Sequence, residues 1–90
     1  MCFNIEQLKK KIIYRSNYRG TKEMDKLLGA FTIKNINQLS NIELIALEKF
    51  LDIDDDNLYK FYNGLKTDFI FEDNIINNLF KNFKYEKNDN

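Results

Sequence analysis

The most acidic constellation in the chain is Asp52, Asp54 and Asp56, whose alternation matches the first, third and fifth positions of an EF-hand calcium loop. The match stops there. Asn57 stands where a glycine makes the sharp turn, and Asn63 where a bidentate glutamate closes the loop. The same aspartates serve equally well as helix-start residues, so no metal site is expected. The sequence has no histidine and a single cysteine, Cys2. Without histidine the usual general base and the commonest metal ligand are missing, and Ser16 and Ser40 have no base to activate them. Cys2 has no partner for an intramolecular disulfide and reads as a terminal thiol without function. Glu43 and Glu48 could be an acid–base pair, but five-residue spacing puts them on different faces of a helix. Gly20, Gly29 and Gly64 are isolated and make no phosphate loop. The expectation is a non-catalytic chain that binds no cofactor stably.

One unusual stretch is left, Arg15-Ser16-Asn17-Tyr18-Arg19-Gly20-Thr21-Lys22-Glu23-Met24-Asp25. Gly20 can take backbone angles closed to other residues, so the chain can reverse sharply and leave room above the turn. Two readings of its neighbours stand side by side. In one, Arg19 and Glu23 project from a corner, a planar five-donor fork beside a carboxylate acceptor, both open to a partner. In the other, Glu23 favours a helix N-terminus and Arg19 pairs with it inside the chain, a contact worth little when exposed.

A corner of this kind requires two helices to make it, and the sequence supplies them. With no proline, three glycines and apolar residues spaced by three and four, the 90 residues predict an all-α fold, a small compact bundle of about five helices. The first helix opens at Asn4, carries Ile5, Leu8, Ile12 and Ile13, and ends near Tyr18. The second starts at Thr21 or Lys22, buries Met24, Leu27, Leu28 and Phe31, and fades between Lys34 and Gln38. Gly29 inside it implies a closely approaching neighbour. Ser40 with Glu43 forms a capping box for the third helix, Leu39 can staple onto Leu44, and Leu44, Leu47, Phe50 and Leu51 face inward. The fourth is expected from Asp56 to Asn63, with Gly64 as its C-terminal cap. The fifth is expected from Phe71 to Tyr85 with Ile75, Ile76, Leu79, Phe80 and Phe83 inward, followed by a frayed tail over 86–90. One domain spans 1–90. Most of the eight Phe and five Tyr are expected in its core.

The charge pattern bounds the partners. Fourteen Lys and Arg against fourteen Asp and Glu, interspersed along the chain, give no basic field for a polyanion, so nucleic acid is disfavoured. Lys9, Lys10 and Lys11 read as a solvated helix face. No apolar run approaches the roughly 20 residues of a membrane span, and no secretory leader is visible. A cytoplasmic location and no membrane insertion are expected.

At the Arg19 corner the chain resembles the succinate dehydrogenase assembly factor 2 family, known in bacteria as the FAD assembly factor. The resemblance lies in Arg19-Gly20-x-x-Glu23, the family's defining motif, within Arg19-Gly20-Thr21-Lys22-Glu23-Met24-Asp25, then Leu27-Leu28-Gly29 and Phe31. It continues through Leu39-Ser40, Glu43, Phe50-Leu51, Asp56, Leu58-Tyr59 and Gly64, over roughly residues 12 to 65. Tyr18 stands where many members have Arg or His, and Phe61 where many have Trp. The resemblance implies a small helical bundle that binds the flavoprotein subunit of succinate dehydrogenase, and in some bacteria that of fumarate reductase. By the same resemblance it would promote covalent attachment of FAD to a histidine of that subunit. The acceptor histidine would lie on the partner, and the hard chemistry would be the flavin's own. Arg19, Gly20 and Glu23 would be the contact residues, with Arg15, Tyr18 and Asp25 next to them. The alternative is a generic helical interaction module, such as an antitoxin-like regulator.

Overall fold

Five short polar side chains start the five helices. Asn4, Thr21, Ser40, Asp54 and Asn74 each lie in extended backbone and accept the amide hydrogen of the residue three further on, at 3.2, 3.2, 3.2, 3.4 and 2.8 Å respectively. Each bond satisfies one of the donors that a helix N-terminus leaves unpaired. In the computed structural model, which describes residues 4–84, the helices are α1 (Ile5–Asn17), α2 (Lys22–Asn35), α3 (Asn41–Phe50), α4 (Asp55–Tyr62) and α5 (Ile75–Asn82). No strand occurs among the described residues.

The all-α expectation therefore stands, with α1 to α4 within a residue or two of the expected bounds. The Ser40 capping box is complete: Glu43 Oε1 accepts from the Ser40 amide at 2.8 Å while Ser40 Oγ accepts from the Glu43 amide. The fifth helix differs. It begins four residues later than expected because Asn74 caps it, and the side chain of Asn77 turns back to donate to Glu72 O at 2.7 Å. Phe71 lies before this helix, stacked on Phe61 with ring centroids 4.0 Å apart. Ile75, expected inward, is half exposed. The helix stops at Asn82; Phe83 is extended and its carbonyl accepts from Tyr62 Oη at 2.6 Å. Cys2, Tyr85 and the tail over 86–90 lie outside the described residues.

α1 packs on α2 and α3, and α5 packs on α3 and α4. The core between them holds Ile12, Leu28, Phe31, Leu44, Leu47, Leu51, Leu58, Ile76 and Phe80, all essentially inaccessible. Phe80 is its aromatic centre, in edge contact with Phe31 at 5.2 Å and Phe50 at 5.1 Å. Not every aromatic is buried: Tyr14 and Tyr18 remain largely exposed, and Tyr59 and Phe69 about half exposed. One polar pair sits inside. Ser16 and Thr32 join α1 to α2 through their hydroxyls at 2.6 Å, and Ser16 Oγ also donates to Ile12 O at 2.7 Å. Gly29 lies on the same seam, where a side chain would strike the Asn17 carboxamide of α1, the close neighbour its position in the helix implied.

Candidate functional site

Four residues, Tyr18 to Thr21, carry the chain from α1 into α2. Gly20 makes the reversal with φ of 129°, a backbone state that side chains oppose, while the nearest atom to a Cβ there would be Asp55 Oδ2 at 3.9 Å. Glycine is thus required at this position for its backbone angles, with open space around it. Asp25, in the first turn of α2, folds back across the reversal. Its Oδ1 accepts the amide hydrogen of Arg19 and, at 3.3 Å, that of Gly20.

Arg19 extends away from solvent. Its side chain is only 9% exposed, and all three guanidinium nitrogens are engaged: Nε donates to Asp55 Oδ1 at 2.8 Å, Nη1 to Leu51 O at 2.6 Å and Nη2 to Ile53 O at 2.7 Å. The fork does grip a carboxylate and carbonyls, as its chemistry suggests, but they belong to its own chain. Arg15 performs a related task one turn earlier, donating to Glu48 O at 3.4 Å and pairing with Asp52 at 2.5 Å. Both arginines thus lie over the C-terminal end of α3. Carbonyls there lack helical partners, and the helix dipole favours positive charge. No ion pair between Arg19 and Glu23 occurs among the described residues.

The six candidate residues therefore divide into two sets. Arg15, Arg19 and Asp25 build the corner from within, whereas Tyr18, Gly20 and Glu23 are displayed on it. Tyr18 is 69% exposed and rests against Tyr14 with ring centroids 4.6 Å apart. Glu23 lines an open groove of about 480 Å³ between α2, with Lys26 and Leu27, and α4, with Tyr59, Tyr62 and the C-cap residue Asn63. The groove offers an acceptor, a cation and aromatic surface together, a set suited to a protein surface of mixed polarity.

Asp55 and the carbonyls of Leu51 and Ile53 are neighbours of Arg19 that the sequence did not reveal. Of the acidic run only Asp54 is the expected cap, at the start of α4; Asp52 pairs with Arg15, Asp55 holds Arg19 and Asp56 pairs with Lys60 at 3.1 Å. The Asn57 carboxamide, donating to Asp54, holds that carboxyl below its ordinary 3.8. The hydrogen bond and charge of Asp56 raise the Lys60 ammonium above its usual value. No helix among the described residues is long and apolar enough to cross a membrane.

Comparison with known proteins places this corner in context. The chain is 38% identical over 55 residues to the mitochondrial succinate dehydrogenase assembly factor 2 of Dictyostelium discoideum, a match covering 61% of this chain and 39% of that protein. The matched part thus spans about two fifths of the length of that curated relative. No solved structure matches the chain significantly. The sequence model of the family described as flavinator of succinate dehydrogenase matches residues 10–84, which include the corner and the residues that hold it. This chain belongs to that family of succinate dehydrogenase flavinators.

Proposed function

We propose that this chain is an assembly factor that binds the flavoprotein subunit of succinate dehydrogenase, with the fumarate reductase flavoprotein as a second client, and promotes covalent attachment of FAD to a histidine of that subunit. The observation that carries this reading is the Arg19-Gly20-x-x-Glu23 motif at the α1–α2 corner, which displays Gly20 and Glu23 and lies within the family-matched span. The chain has no histidine, which suits a role in which the acceptor lies on the client. Joining the flavin 8α-methyl carbon to a histidine nitrogen replaces a C–H by a C–N bond. That is a two-electron oxidation of the methyl carbon, and the flavin ring is the acceptor of the electron pair. No catalytic group is needed from this chain. Its contribution is to hold the client in the arrangement where methyl and imidazole meet, a proximity effect delivered by binding. Tyr18, Gly20 and Glu23 form the docking surface in this reading, and FAD stays with the client. In this reading the chain acts in the bacterial cytoplasm.

The test is to express the cognate flavoprotein with and without this chain at limiting FAD and inspect denaturing gels for flavin fluorescence. The expected result is a fluorescent flavoprotein band that is strong with the wild-type chain and weak without it or with Glu23→Ala. A band of equal strength in all lanes at every FAD level would sink the reading and favour a generic helical interaction module.

A further inference from the structure

We infer that Arg19 is a positioning residue that acts on client recognition through Asp55 and the α3–α4 turn, and makes no contact with the client itself. This rests on the corner being the docking surface proposed above. Three observations carry it. First, every nitrogen of the guanidinium is already engaged: Nε, Nη1 and Nη2 hold Asp55 Oδ1, Leu51 O and Ile53 O at 2.6–2.8 Å, in a side chain 9% exposed. Turning outward to a client carboxylate would abandon three charge-assisted hydrogen bonds to gain one or two. Second, Arg19 directly precedes Gly20, whose φ of 129° sets the direction of α2, so fixing the guanidinium fixes the peptide that aims Glu23. Third, the same peptide is held from the other side, because Asp25 accepts the amide hydrogens of Arg19 and Gly20. A fork that reaches three acceptors in a plane fits this task, and an ammonium on a flexible stem does not. The motif's arginine and glutamate thus have separate duties, the first inward and the second outward.

Arg19→Lys and Asp55→Asn separate this role from direct contact. Lysine keeps the charge a client carboxylate would want and loses the three-way grip; asparagine at 55 weakens the grip from residues outside the motif. Each variant is titrated against the purified flavoprotein subunit well below its melting temperature, so that a purely stabilising role would leave the affinity of the folded protein unchanged. The expected result is a loss of about tenfold in affinity for each, with the double variant little worse than either single one. On the isolated chain, amide hydrogen exchange over residues 19–23 should quicken in both variants. Asp55→Asn binding as wild type while Arg19→Lys loses affinity would overturn the inference, since Arg19 would then touch the client. Unchanged exchange in both variants would overturn it as well. If Arg19→Lys melts too low to titrate, Asp55→Asn decides on its own. Glu23→Gln serves as the control for the docking surface: full affinity there defeats the proposed function, while the exchange measurement still reports on the latch.

Discussion

Arg19, on the turn between α1 and α2, and Asp55, in the first turn of α4, are 36 positions apart in the chain and meet at 2.8 Å in the least exposed ion pair among the described residues. Asp55 itself keeps 25% of its side chain in solvent, so the pair is sheltered on the arginine side and wet on the other. That asymmetry decides what each deletion costs. Removing Arg19 strands the carbonyls of Leu51 and Ile53 and leaves a carboxylate that water can still reach. Arg19→Ala is expected to destabilise the fold by about 2–3 kcal/mol, below the full penalty of a deeply buried broken pair. Arg19→Lys should recover less than half of this. Urea unfolding followed by circular dichroism reads both values, and a loss under about 1 kcal/mol for Arg19→Ala would show the latch to be weak.

The two glycines with positive φ should respond differently to the same change. Gly20 at 129° lies in a region nearly closed to L side chains, whereas Gly64 at 73° lies in the left-handed helical region, with no atom within 4 Å of an added Cβ. Gly20→Ala is expected to lower stability by about 1–3 kcal/mol through backbone strain alone, since the site is spacious. Gly64→Ala should cost about 1 kcal/mol and Gly64→Asn less, because asparagine tolerates that region. Thermal melts of the three variants check the order, and equal losses for Gly20→Ala and Gly64→Asn would contradict it.

How far the sequence discloses this molecule depends on the range of each interaction. The Ser40–Glu43 capping box closes within one turn, so both residue types at that spacing suffice to place α3. Gly29 implies a close neighbour because glycine is costly inside a helix, although nothing local identifies that neighbour as Asn17. The fifth helix is misread at its start because Phe71 lies four residues before Ile75, the spacing of a helical stripe. The stripe is broken by Asn74, whose cap competes with helix continuation. At the corner, the motif marks the right residues but not their directions. Whether Arg19 faces in or out depends on a carboxylate and two carbonyls from another part of the chain, and no periodicity encodes them.

The Gly29–Asn17 contact makes a prediction in which two substitutions help each other. A methyl group at Gly29 would fall inside van der Waals distance of Asn17 Oδ1, but Asn17 is an exposed side chain that can rotate away. Rotation forfeits its hydrogen bond to Ile13 O at 2.8 Å. Gly29→Ala alone should therefore be nearly neutral, the gain in helix propensity of about 1 kcal/mol being offset by the displaced side chain. With Asn17→Ala in the background the obstacle is gone, and Gly29→Ala should then stabilise by close to the full amount. A double-mutant cycle measures this, and strict additivity would show that the two residues do not compete for space.

The buried Ser16–Thr32 pair predicts non-additivity of the same sign from a different cause, the loss of one hydroxyl depriving the other of its partner. Both side chains are fully buried, their hydroxyls lie 2.6 Å apart, and Ser16 Oγ also donates to Ile12 O. Because Ser16 gives its hydrogen to Ile12 O, the Thr32 hydroxyl must be the donor between the two. Ser16→Ala therefore takes away the acceptor of Thr32 and should cost about 1–3 kcal/mol. Thr32→Val is nearly isosteric and removes a donor, leaving Ser16 with its carbonyl contact, so the expected cost is smaller, about 0.5–1.5 kcal/mol. In Ser16→Ala/Thr32→Val no buried hydroxyl remains to be satisfied, and the combined loss should fall clearly below the sum of the two. Chemical unfolding of the four proteins provides the cycle. A double variant that loses the full sum would mean that each hydroxyl stabilises the α1–α2 seam independently of the other.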